Sequence, residues 1–344
     1  MSRTFAIALA TLLYSCGLAH AVEDCEMNGE HVNPANGSTY AGKSGIMKCR
    51  DRDSGKLVRE TEYRNGRALG YRKSIDFSGR TIVGSINENG NRDGESKSYD
   101  AAGTLIAEER YLNGDLVGLQ TYYHANKQVR RRSFHEPRKV ALAAIEYNDR
   151  GQLTEVRCAD KPLLNDDRAL CGFDGKASEV TLYDARGQTS AKVRFENGRR
   201  LAYTAFGSAG TVSRSDEVKG EQRILREHFG DGQLRLETVY AGKWKESERE
   251  HAKSGQRVRE TQWQQGRRSE ESLWYLNGHL RSRTRWSGDG DYVQQLYDDA
   301  GLLRTESTYQ KERMTRRKTF KDGKLATDEE LYEDGSRKSL RKAD

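Results

Sequence analysis

Apolar and polar residues alternate along this chain in short bursts. In "GKLVRETEY", from Gly55, successive side chains fall on opposite faces, the two-residue period of a β-strand. The same burst returns as "GTLIAEERY" at Gly103, "GQLRLETVY" at Gly232, "GQRVRETQW" at Gly255, "GHLRSRTRW" at Gly278 and "GLLRTESTY" at Gly301. Weaker copies begin at Gly79, Asn126, Gly151, Gly187, Gly210 and Gly323. The steps between successive starts are 24, 24, 23, 25, 36, 23, 22, 23, 23, 23 and 22 residues. A near-constant period in this range marks a repeat architecture.

Aligning the copies exposes columns. Eight residues after the register glycine stands an aromatic: Tyr63, Tyr111, Phe134, Phe195, Tyr240, Trp263, Trp286 and Tyr309. Four residues before it stands another, including Tyr99, Tyr122, Tyr147, Tyr183, Phe206, Trp274 and Tyr297. An acid recurs at plus five, as Glu60, Glu108, Glu237, Glu260 and Glu306. A second glycine follows near plus eleven, as in Gly66, Gly114, Gly198 and Gly266. Asn-Gly and Asp-Gly pairs supply the positive φ that tight turns need. Each unit therefore reads as two short strands and two turns. No unit can bury a face alone, so neighbours are expected to stack their aromatic columns. The fold class expected is all-β: a long, nearly single-layer antiparallel sheet of about twelve hairpins.

These units resemble MORN repeats, and more closely the MORN-repeat variant with its "G-x-L-x-x-E-x-x-Y-x-N-G" signature. The resemblance covers roughly residues 49–340. It implies an elongated, twisted antiparallel sheet built from successive hairpins. Proteins with this variant are often labelled antitoxin-like, and some resemble periplasmic immunity proteins that block toxins from neighbouring bacteria. By analogy the partner is one secreted protein toxin or effector, with a type VI-secreted lipase or phospholipase as the class suggested. The resemblance brings no catalytic residues.

Composition makes sense only with the repeats in view. Hydrophobic residues are 34% of the chain and the mean hydropathy is −0.94, which alone leans toward disorder. A single-layer sheet needs only a strip of aromatics, and cross-strand charge pairs can stabilise its wet surface by roughly 0.2–1 kcal/mol each. Three prolines suit a chain of paired strands. Charges are mixed, 59 basic against 52 acidic, so a nucleic-acid partner is not expected.

The first residues point to export. Arg3 precedes an apolar run over residues 5–14, and Ala19-His20-Ala21 is a small-x-small cleavage site. This predicts a signal peptide over residues 1–21, too short to span a bilayer, and a periplasmic mature chain starting at Val22. The rival reading is a lipoprotein signal with Cys16 lipidated. Cleavage removes one arginine, leaving 58 basic against 52 acidic residues and a formal charge of +6. Four cysteines then remain: Cys25, Cys49, Cys158 and Cys171. Three pairings are possible, and the local one, Cys25–Cys49 with Cys158–Cys171, is favoured because each loop is short. None has C-x-x-C spacing, so no metal or redox role is expected. The organisation expected is a signal peptide (1–21), a disulfide-closed cap (22–50), a first array (51–157), a stapled insertion (158–171) and a second array (172–344).

Residues 37–44, "GSTYAGKS", match the phosphate-loop pattern G-x-x-x-x-G-K-[ST] in letters. The context fails. "NGEHVNPAN" upstream is turn-like, and only "GIMK" separates Ser44 from Cys49, too short for the required helix. A leading hairpin is expected there, and no cofactor.

Function is sought where the repeat breaks. The 36-residue step contains "CADKPLLNDDRALC", with Leu163, Leu164, Asp166, Asp167 and Arg168. It reads either as a tolerated surface insertion or as a rigid, protruding plug for a partner's cleft. "RRRSFHEPRKVALAAIEY", residues 130–147, is irregular; Arg130, Arg131 and Arg132 make a weak anion site, and "KVALAAIEY" is a strand or one helical turn. Trp244 lies outside the columns and is an interface candidate. The histidines are scattered, with no metal-binding or nucleophile-elbow motif, so the protein is not expected to be an enzyme. The reading is a periplasmic immunity-type binder, monomeric before complex formation, that covers a toxin's active site. The alternative is a periplasmic scaffold or envelope-surface binder of anionic lipid or polymer, with peripheral membrane contact.

Overall fold

The computed structural model describes residues 23–341. The signal-peptide, cleavage-site and Cys16 readings fall outside the described residues. Nearly all regular structure is β, in two antiparallel sheets of 13 and 15 strands. The single continuous sheet expected from the repeats is thus divided. The described part of Met1–Lys127 with His135–Val140 forms one compact unit, and Gln128–Phe134 with the described part of Ala141–Asp344 forms a second.

Two turn types alternate, as the columns imply. At plus eleven, Asn65 (φ 51°) and Gly66 (φ 75°) both take the left-handed conformation of a two-residue hairpin turn. At the register glycine the chain uses a four-residue turn: Gly79 N–H donates to Asp76 O at 2.9 Å, while Asp76 Oδ1 accepts from the amides of Ser78 and Arg80. In the 15-stranded sheet every strand from Ser178–Tyr183 to Arg337–Arg341 pairs with the next in sequence. Bulges recur where the aromatic columns meet the turns, for example at Val239/Tyr240 and Gln262/Trp263.

The first unit opens on a cap. Strands Glu23–Met27 and Gly45–Asp51 pair with Cys25 directly opposite Cys49, and the two are disulfide-bonded. Met27, Val32 and Met47 bury beside the bond, with Tyr40, Val58 and Tyr63 packed on them. The phosphate-loop look-alike folds as the connection inside this cap. Its lysine, Lys43, pairs with Glu30 at 2.6 Å; Lys43 O accepts from Gly66 N at 2.7 Å, and Ser44 Oγ accepts from Asn65 N at 3.0 Å. A strand follows it, Gly45–Asp51, not a helix.

The second unit has a layered core around the insertion. Cys158 and Cys171 are disulfide-bonded and enclose a short helix, Asp167–Leu170. Strand Leu153–Arg157 ends one sheet and strand Ser178–Tyr183 begins the other. Leu153, Val156 and Leu170 pack on Val180, Leu182, Ala191, Val193 and Phe195. "KVALAAIEY" contributes a strand, Ala143–Tyr147, whose Ala143 and Ile145 are fully buried against Leu164.

The aromatic columns do not stack as one continuous file. Trp286, Tyr292 and Tyr309 form a ring run, the last pair stacked at 4.3 Å. Trp263 instead carries Lys245 Nζ 4.8 Å from its ring centre, and Trp274 carries the Arg257 guanidinium at 4.1 Å. At these two rings a charged side chain from the neighbouring strand takes the place of a second aromatic.

Candidate functional site

The plus-five acids show how charge is normally handled in this fold. Glu237 receives Arg226 Nε at 2.8 Å and Arg249 Nη1 at 3.1 Å, and Arg249 Nε reaches Glu260 at 3.0 Å. These partners lie directly across the ladder: Arg226 opposite Glu237, Glu237 opposite Arg249, Arg249 opposite Glu260. Toward the C-terminus Glu306 pairs with Lys318 directly opposite, and Asp328 pairs diagonally with Arg316.

Arg72 departs from this pattern. Arg72, on strand Arg67–Ile75, stands opposite Thr61 on one side and Gly84 on the other, so no carboxylate faces it. It makes no ion pair and no side-chain hydrogen bond among the described residues. Burial first, and then the Arg59 and Arg92 charges, lower its pKa. Arg59 is itself paired with Glu23 at 2.5 Å. Arg92 donates to Tyr111 Oη at 2.9 Å with its guanidinium over the same ring, and Tyr111 Oη donates to Glu109 at 3.0 Å. Burial, then Glu109, raise the Tyr111 phenol's pKa, so it stays protonated.

Arg72 and Ser74 line two adjoining concavities. The first, about 450 Å³, also has Gly84, Arg92, Ser96 and Tyr111 on its walls. Ser96 is 4% exposed, and its Oγ has no hydrogen-bond partner. The second, about 580 Å³, is lined by Leu57, Val58, Ile75 and Phe77, with Glu23, Asp51 and Asp76 among its polar residues. Phe77, at the tip of a turn, is 95% exposed. The first unit therefore presents a groove with an unpaired cation at its centre and an apolar wall at one end.

The residues singled out from the sequence lie elsewhere. The stapled insertion does not protrude as a rigid plug. Leu164 is 5% exposed and Asp167 is fully buried, and Leu163 packs partly against the same core. The apolar side chains of the insertion find a closer surface in the gap between the sheet edges than in solvent. Asp166 pairs with Arg132 at 2.6 Å, and Arg168 lies 4.0 Å from Asp174. Arg131 pairs with Glu146 at 2.7 Å, so Arg131 and Arg132 of the basic run are both engaged in internal pairs. Burial, then the Asp166 charge, raise the Tyr147 phenol's pKa. Trp244 is 47% exposed, with Lys243 Nζ 4.9 Å from its ring centre. The only described His, Cys, Asp and Glu group close enough to hold a metal is Glu23 with Cys25 and Cys49, whose sulfurs form the disulfide.

Residues 92–113 match the family described as MORN repeat variant. The matched repeat supports the MORN repeat family and brings Arg92, Ser96 and Tyr111 to the groove. No curated protein matches the chain. Among solved structures, a "putative 6-phosphogluconolactonase" from Bacteroides fragilis NCTC 9343 aligns at 12% identity over 89% of this chain and 93% of its own. Its TM-score is 0.11, which supports no argument about fold or activity.

Arg72 and Ser96 were not legible as site residues. Arg72 sits in "GYRKS" and looks like any ladder arginine. The available signal was Gly84 inside the apolar strand "TIVGSI", since a strand glycine often marks a close approach or an open floor.

Proposed function

We propose that this MORN-type protein is a periplasmic binder of one protein partner, of the immunity or antitoxin type, which neutralises a bacterial toxin by covering its active site. The observation that carries the reading is Trp244. Its ring is half exposed and lies over Gly266, where an added Cβ would approach Trp244 Cζ3 to 2.6 Å. An aromatic held in place before binding loses little entropy on contact, the property of an interface anchor. The ordered charge ladders on the same unit suit specific protein recognition. A secreted lipase or phospholipase remains the toxin class suggested by analogy alone.

The test is affinity capture from the source organism with the mature chain and, in parallel, its Trp244→Ala variant. Any toxin found is then co-expressed with each form. Rescue by the wild-type chain, weakened in the variant, supports the proposal. Failure to capture a protein, with a deletion strain that resists attack by sister cells, overturns it.

A second reading, binding of anionic lipid or polymer at the envelope surface, is favoured by the formal net charge of +6 expected for the mature chain, 58 basic against 52 acidic residues. Strong, salt-sensitive binding of the mature chain to phosphatidylglycerol vesicles would support it.

A further inference from the structure

We propose that the groove at Arg72 is a carboxylate site. It takes one acidic side chain or chain terminus of the protein partner, with an adjoining apolar residue laid along Val58, Ile75 and Phe77. The inference rests on the protein-binding reading above and names the chemistry of the contact.

Three observations converge. Arg72 is a half-buried guanidinium with no acceptor among the described residues, in a sheet where arginines such as Arg249 face acids directly across the ladder. A planar fork of donors facing open space matches a carboxylate's two oxygens. Of the neighbouring cations, Arg59 is neutralised by Glu23, whereas Arg92 donates to the neutral Tyr111 phenol, keeps its charge and adds to the pull on an incoming anion. Second, the Ser96 hydroxyl lines the same concavity, is 4% exposed and has no partner. A buried hydroxyl without a hydrogen bond is costly, and an anion bound beside it removes that cost. Third, Gly84 stands directly opposite Arg72, and an added Cβ there would approach Ser96 Oγ to 3.2 Å, so the missing side chain leaves room for the Ser96 hydroxyl next to the cross-strand position of Arg72.

The rim selects charge. Glu23, Asp51 and Asp76 line the adjoining concavity, and they repel a doubly charged phosphate more than a singly charged carboxylate. The exposed Phe77 and its apolar neighbours then favour an acid next to an aromatic or aliphatic residue over a free, fully hydrated anion.

The groove can be tested without the natural partner. The full mature chain is titrated with Ac-Phe-Glu-NH₂, with Ac-Phe-Gln-NH₂ and with inorganic phosphate, while the Arg72 side-chain Nε–H and the Ser96 amide are followed by NMR. The glutamate peptide is expected to shift both signals, with the glutamine peptide and the Arg72→Gln variant each roughly tenfold weaker. Arg72→Gln is also expected to melt no lower than wild type, because it removes a half-buried charge with no partner. Equal response to the two peptides overturns the carboxylate assignment, as does tighter binding of phosphate. A response confined to phosphatidylglycerol vesicles overturns it in favour of lipid. With a captured partner in hand, unchanged binding by Arg72→Gln alongside weakened binding by Trp244→Ala sinks the groove and leaves the protein-binding reading standing. Failure to capture any partner is the separate failure of that reading.

Discussion

The Asp167 carboxylate clamps the backbone of Leu164. Its Oδ2 accepts the Leu164 amide at 2.8 Å and the adjacent Leu163 amide at 2.7 Å, in a fully buried position. The clamp turns the insertion so that Leu164 enters the core beside Ala143 and Ile145. Asp167→Ala leaves two amides without their acceptor, a loss of about 1–3 kcal/mol for each group that stays buried. Chemical denaturation should show lower stability, and hydrogen exchange should show early loss of protection at residues 163 and 164. Asp167→Asn keeps an acceptor oxygen and should cost less.

The Cys158–Cys171 bond acts on the same segment from outside. It closes a sequence separation of 13, for which loop-closure entropy is worth about 3 kcal/mol. The double variant Cys158→Ser/Cys171→Ser should unfold at lower denaturant and be cleaved by protease within residues 158–171 while the repeat strands remain protected. Equal stability of the two forms would show that packing alone holds the insertion.

Asp216 makes stability depend on acid. Hydrogen bonds from Arg223 outweigh burial, and the Arg223, Arg200 and Arg214 charges add to them, holding its carboxyl below the ordinary value. A folded-state pKa below the unfolded value of about 3.9 gives stabilisation that is present above that pH. It is lost as pH falls through the folded pKa. Asp216→Asn should therefore melt lower than wild type near neutrality, and the gap should close below about pH 4. Melting curves of both proteins between neutral and strongly acid pH check the sign.

Gly266 and Trp244 should behave as a coupled pair. Gly266 has φ +83°, and an added Cβ would press on the Trp244 ring. Gly266→Ala should cost about 1–2 kcal/mol from the left-handed backbone plus a steric share. Trp244→Ala should cost little alone, since the ring is half exposed. In the double variant the steric share disappears, so a double-mutant cycle should give a favourable coupling; simple additivity would show that the ring does not rest on this turn.

The repeat was legible because its causes are local. Asn65-Gly66 needs only its own backbone to form a hairpin turn, and Asp76 captures amides two and four residues on. The cysteines paired as their spacing suggested, since a short loop brings its ends together whatever surrounds it. The insertion could not be read in the same way. Leu163, Leu164 and Asp167 follow no period, and their burial depends on a gap between strand Leu153–Arg157 and strand Ser178–Tyr183.

Arg72 and Arg249 mark the boundary between the two kinds of information. In sequence both are strand arginines among mixed charges. The sequence by itself determined an all-β chain of hairpins, its turn positions and its two disulfide loops, because turn chemistry and loop closure act over a few residues. Only the tertiary structure decided that Arg249 lies between Glu237 and Glu260 while Arg72 lies between Thr61 and Gly84. That choice is made by cross-strand register, which depends on every bulge and turn along the neighbouring strands. It leaves one arginine neutralised and the other facing an open groove.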